Sequence, residues 1–150
     1  MSKVFLDKIP STAHIESVIA AEPLKNGQFV ELGVLSDEDF ESREGAKAKD
    51  NASADVLLVD APISYGDPHF DLDTYELAAG KAGRGYHLVA GDIISVTEDL
   101  VHGAKVGEYV AVNADGLGFA KADDKASAIA QVIGTESHGF DGDVAVVAFV

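Results

Sequence analysis

Four short stretches decide how this chain folds: "NGQFVEL" (residues 26–32), "AGDIISV" (90–96), "VGEYVAV" (106–112) and "DGDVAVV" (141–147). Each sets a glycine, then a polar or acidic residue, before a short and mostly β-branched run. A glycine beside a carboxylate is the chemistry of half a phosphate or metal site. It is equally the punctuation between strands. Alignment on Gly27, Gly91, Gly107 and Gly142 separates the two readings. Three residues on stand Val30, Ile94, Val110 and Ala145, and five on stand Leu32, Val96, Val112 and Val147. Those positions share one face of a strand. Between them lie Glu31, Ser95, Ala111 and Val146, polar or small in all but the last. This is the half-buried strand pattern, and the glycines then mark turns that require a positive φ. Their unequal spacing argues against a solenoid or propeller repeat.

Other strands gather around these. "HIESVIAAEPL" (14–24) fits a helix by spacing, but the surrounding strand phrases favour a strand that Pro23 ends. "DVLLVDAP" (55–62) is a continuous apolar run, and Asp115-Gly116 is a hairpin turn between 108–113 and 117–121. Residues 127–150 read as two strands around a Gly-rich turn. Residues 1–14 show no partner pattern and are broken by Pro10, so they read as an N-terminal arm before a single domain over 15–150. The charged stretch 36–54 reads as an exposed loop or flap. Residues 71–85 read as one short helix, with Asp73 and Glu76 as a capping box and Gly80 as the C-cap. About seven to nine strands and one or two helices predict a mainly β fold, a small barrel or sandwich.

Composition narrows the function. With 150 residues and 47% hydrophobic content the chain supports one sizeable core. No apolar run has the length of a membrane span, and the first residues lack the apolar core of a secretory signal. The absence of cysteine excludes a disulfide framework and a thiolate nucleophile. Eleven basic against 26 acidic side chains give a net charge of −15, which disfavours nucleic acid as a partner.

Candidate chemistry is thin. Asp67, His69, Asp71, Asp73 and Glu76 crowd "YGDPHFDLDTYE" (65–76), but the spacing matches no calcium loop and reads as a solvated acidic turn, so no metal site is assigned. "GKAGRGYH" (80–87) sets Lys81 and Arg84 among glycines without Walker spacing, which predicts a flexible cationic loop suited to docking an acidic subunit. Ser137, His138, Asp141 and Asp143 share one turn, whereas triads draw their members from different elements. His14, His87 and His102 read as isolated. The expectation is a binding or structural protein, not an enzyme, with no cofactor.

The stretches "IESVIAAEPLKNGQFVELGVL", "YELAAGKAGRGYHLVAGDIISVTEDL" and "VGEYVAVNADGLGFAKA" resemble the head decoration proteins, also called cement or auxiliary capsid proteins, of tailed bacteriophages. The resemblance runs from about residue 15 to residue 121, about two thirds of the chain. It implies a β-tulip-like barrel on the outer surface of the virion, commonly a homotrimer, stabilising the shell by bridging major capsid protein subunits. It implies no catalytic residue, cofactor, nucleic acid or membrane partner, and synthesis in the host bacterial cytoplasm. The contact candidates are Lys3, Val4, Phe5, Leu6 and Ile9 of the arm, with Lys81 and Arg84 of the cationic loop. The rival expectations are another virion or tail module (tail tube, head completion or fibre base) and a metal- or glycan-binding domain using Asp67, His69 and Asp71.

Overall fold

The β-rich reading holds in the computed structural model, which describes residues 2–61, 66 and 71–150. Eleven strands lie among them: β1 (Val4–Lys8), β2 (Ile15–Ala20), β3 (Phe29–Leu35), β4 (Arg43–Lys47), β5 (Val56–Leu58), β6 (Ala82–Tyr86), β7 (Ile93–Thr97), β8 (Tyr109–Val112), β9 (Phe119–Lys121), β10 (Ala130–Ser137) and β11 (Asp143–Phe149). Helical structure among them is limited to three single 3-10 turns, at Leu72–Thr74, Glu98–Leu100 and Gly139–Asp141. Each glycine phrase leads into a strand, and Gly27, Gly91, Gly107 and Gly142 hold φ values of 90°, 97°, 92° and 74°. The residues three positions on, Val30, Ile94, Val110 and Ala145, are all buried. Ser95 departs from the outward pattern. It is buried because β1 runs alongside, and its hydroxyl donates to the Asp7 carboxylate.

The strands form two assemblies. An antiparallel sheet has the order β1-β7-β11-β10-β8-β9, and β2-β4-β3-β5-β6 close into a barrel in which β2 and β4 run parallel. The barrel is therefore inserted between β1 and β7, which pair with each other. The chain enters and leaves the barrel side by side, where His87 N–H donates to the His14 carbonyl at 3.0 Å.

One core, with Ile94, Val96, Leu100, Val110, Phe119, Val132 and Val147, lies on the sheet and takes in Phe29, Ala48 and Leu57 from the barrel wall. A second, smaller core of Val18, Ala20, Leu24, Val30, Val56, Leu58 and Leu77 belongs to the barrel. The β8–β9 hairpin stitches the two assemblies. Phe29 N–H donates to Gly116 O at 2.7 Å, Gly118 N–H to Gly27 O at 2.9 Å, and the buried Gln28 side chain to Asp115 O at 2.9 Å. A Cβ on Gly116 would lie 2.4 Å from the Ala48 carbonyl oxygen, so the hairpin turn contains glycine because two backbones meet there.

Three segments differ from expectation. The arm contains β1, an edge strand against β7, with Val4, Leu6 and Ile9 packed on the larger core. Its partner lies far along the chain, and five residues without alternation gave no sign of it. The charged flap contains β4, whose inward position is Gly45. The helix expected over 71–85 is a single 3-10 turn followed by β6. Asp71, not Asp73, caps that turn by accepting from Asp73 N–H at 2.9 Å.

Candidate functional site

The expected contact residues of the first strand are largely occupied within the molecule. Lys3 Nζ pairs with Asp73 Oδ1 at 2.6 Å and with the Asp141 carboxylate. Its hydrogen bonds to the Asp141 and Asp73 carboxylates hold the ammonium above the ordinary lysine value. The Phe5 ring lies 4.8 Å from the His138 ring. Lys81 and Arg84 remain exposed, but on or beside β6 and not on a flexible loop. Asp67 and His69 lie outside the described residues; Asp71 and Asp73 are engaged as above, and Glu76 is exposed. The Ser137, His138, Asp141 and Asp143 group forms no triad, since Asp141 binds Lys3 and His138 stacks on Phe5. His102 Nδ1 is 2.7 Å from the Phe119 carbonyl and serves the turn it sits in.

The arrangement that sequence reasoning missed is at one end of the barrel. Along β2, Val18 and Ala20 are buried, so Glu16 and His14 continue the same alternate face toward the barrel mouth. On β6 the buried Gly83 and Gly85 are inward, and His87 follows in the same phase. Gly45 of β4 is inward, and Arg43 two residues earlier shares its phase. These four side chains meet. His87 Nε2 is 3.0 Å and His14 Nε2 is 3.6 Å from Glu16 Oε1, and Arg43 NH1 is 3.5 Å from Glu16 Oε2. Burial alone would push the Glu16 carboxyl up. The His87 hydrogen bond and the Arg43 charge outweigh it and hold the group below its ordinary value. His14 and His87 are not isolated: their rings stand 4.7 Å apart, edge to face. Only strand pairing in space reveals the group, because 71 residues separate Glu16 from His87. The same end of the barrel carries exposed apolar side chains on β3 and the following turn, Val34, Leu35 and Phe40.

A cleft of about 200 Å³ separates barrel and sheet, lined by Phe29, Ala54, Leu57, Tyr86, Leu88 and Phe149 among others. It lies below the roughly 300–1,000 Å³ typical of small-ligand pockets.

Taken together, a closed five-stranded barrel inserted in an antiparallel sheet defines a small, mainly β module whose polar groups converge at a barrel mouth. No protein-family model matches the chain, and no curated protein matches its sequence. Among solved structures, the fold is similar to that of the head fiber gp8.5 N base of bacteriophage phi29, with a TM-score of 0.57 and 13% identity. The likeness covers 93% of this chain and 95% of that one, so it spans both the barrel and the sheet.

Proposed function

We propose that this protein is a structural component of a tailed-phage virion that binds the outer surface of the capsid and stabilises it by bridging major capsid protein subunits. The observation that carries the proposal is the likeness, along nearly the whole chain, to the base of a phage head fibre. The sequence resemblance to head decoration proteins supports the same location. A charge of −15 suits an outer face that need not meet DNA. Exposed Val34, Leu35 and Phe40 offer an apolar contact, and Lys81 and Arg84 offer cations to an acidic neighbour. The role is non-enzymatic, and assembly as a homotrimer would multiply individually modest contacts. Lys3, Val4, Phe5, Leu6 and Ile9, on and beside the edge strand β1, are half-buried and offer a second contact along that edge.

The same fold likeness favours a second reading equally, that of a head-fibre base carrying a longer appendage. Purified protein added to capsids that lack it separates the two readings. Saturable binding on the outer surface, with a raised temperature of capsid disruption, is the expected result. Electron microscopy then distinguishes a clamp lying between capsid subunits from a base whose density continues outward. The double variant Lys81→Glu, Arg84→Glu should bind more weakly. Failure of the intact protein to bind any part of the head would overturn both readings.

A further inference from the structure

The virion role makes no use of the polar side chains at the barrel mouth, His14, Glu16, His87 and Arg43. His14 and His87 are cross-strand neighbours at the point where the chain enters and leaves the barrel. Glu16, two residues after His14, presents its carboxylate between them, and the three donor atoms lie within 4.8 Å of one another. We propose that His14, Glu16 and His87 bind a zinc-class divalent transition-metal ion.

Three observations carry this. The first is the donor set. Two imidazoles and one carboxylate suit Zn²⁺ and its neighbours, whereas Mg²⁺ and Ca²⁺ select oxygen ligands. The second is spacing. With bonds of about 2.0–2.2 Å in a tetrahedral site, adjacent donors stand roughly 3.3–3.5 Å apart. The 3.0 Å and 3.6 Å separations from Glu16 Oε1 to the two Nε2 atoms straddle that range. His14 has an exposed side chain, so small rotations complete the fit. The third is an unmet need. Glu16 Oε2 is buried without a hydrogen-bond partner, and Arg43 at 3.5 Å balances its charge but donates no hydrogen bond to it. An ion drawing on both carboxylate oxygens gives that atom its partner. With Arg43 already offsetting the charge of Glu16, the two imidazoles can serve as neutral ligands. The two imidazoles and the two carboxylate oxygens then supply four donor atoms, and the exposure of His14 leaves room for a fifth from water or a neighbouring chain. Such an ion would fasten the barrel where its first and last strands meet.

The test uses the full chain and zinc chloride. After equilibration with zinc and dialysis, elemental analysis should return one zinc per chain, and the melting temperature should rise on zinc addition. His14→Ala and His87→Ala should each weaken zinc binding at least as much as the roughly 10–100-fold seen for outer-shell changes. His138→Ala, on the sheet, should leave it unchanged, and excess magnesium should not compete. Circular dichroism of the metal-free variants checks folding. If His87→Ala fails to fold, the exposed His14→Ala variant decides. Substoichiometric zinc, or one zinc per chain that survives His14→Ala, would overturn the proposal. The latter result would place the ion elsewhere.

Discussion

The barrel and the sheet bury apolar surface in different ways. The sheet does it with regular strands whose inward positions carry Ile94, Val96, Val110, Val132 and Val147. The barrel closes five strands, and its lumen cannot hold a large side chain from each. A Cβ on Gly45 would lie 2.4 Å from Val18 Cγ1, one on Gly83 2.6 Å from Leu77 Cδ2, and one on Gly85 2.7 Å from Val56 Cγ2. Barrel diameter grows with strand number, so a five-stranded lumen fills from β2, β3 and β5 while β4 and β6 present glycine. In the sheet, hydrophobicity marks the core. In the barrel, the absence of a side chain marks it on two of the five strands.

The contrast breaks most completely at the seam, where both assemblies share the hairpin turn. Gly116 has φ +76° and no room beside the Ala48 carbonyl, and backbone cannot move aside as a side chain does. Gly116→Ala should cost about 3 kcal/mol or more in urea unfolding, with barrel and sheet losing stability together. Separate transitions for the two assemblies would show that the hairpin does not couple them.

A smaller effect sharpens the contrast directly. Gly45→Ala forces a methyl against the stiff Val18 and Val30 side chains and should cost about 1–3 kcal/mol. Gly134→Ala in β10 meets nothing closer than 4.0 Å and should be neutral or stabilise by about 0.5 kcal/mol. Equal costs for the two would remove the distinction between a glycine-filled lumen and an open sheet.

The smallest effect concerns the barrel mouth. Because the folded-state pKa of Glu16 is depressed below 4.5, its stabilisation is present above about that pH and is lost as pH falls through the folded value. Wild-type protein in metal-free buffer should therefore lose stability more steeply than Glu16→Gln below pH 4.5. Parallel acid limbs would show that the carboxylate contributes nothing there.

The same physics set what was legible in the sequence. The four glycine phrases announced β3, β7, β8 and β11, because each pairs a turn requirement with alternating burial. Strands β4 and β6, "REGAK" and "AGRGY", carry small residues at their inward positions and so resembled loops. A period-two glycine pattern, Gly83 and Gly85, was the available clue to a strand facing a narrow lumen. Strand β1 was hidden for another reason. Its pairing with β7 spans the whole inserted barrel, and no local pattern encodes a partner that distant. The histidine–glutamate group was invisible for the same reason, since it exists only through the pairing of β2 with β6.

The narrow neck at His14 and His87 has a further consequence for how the molecule tolerates change. The 36–42 turn lies at the barrel mouth, away from the β8–β9 hairpin and from Phe29, Ala48 and Leu57, which tie the barrel to the sheet. Lengthening the 36–42 turn, or redecorating the rim around Phe40, adds chain without shifting the register of a single sheet pair. Loop length itself costs little, about 0.6 kcal/mol per doubling. The outer rim of the barrel is thus the part of this fold free to diversify, while the sheet and the barrel wall packed on it keep one geometry for whatever they must match.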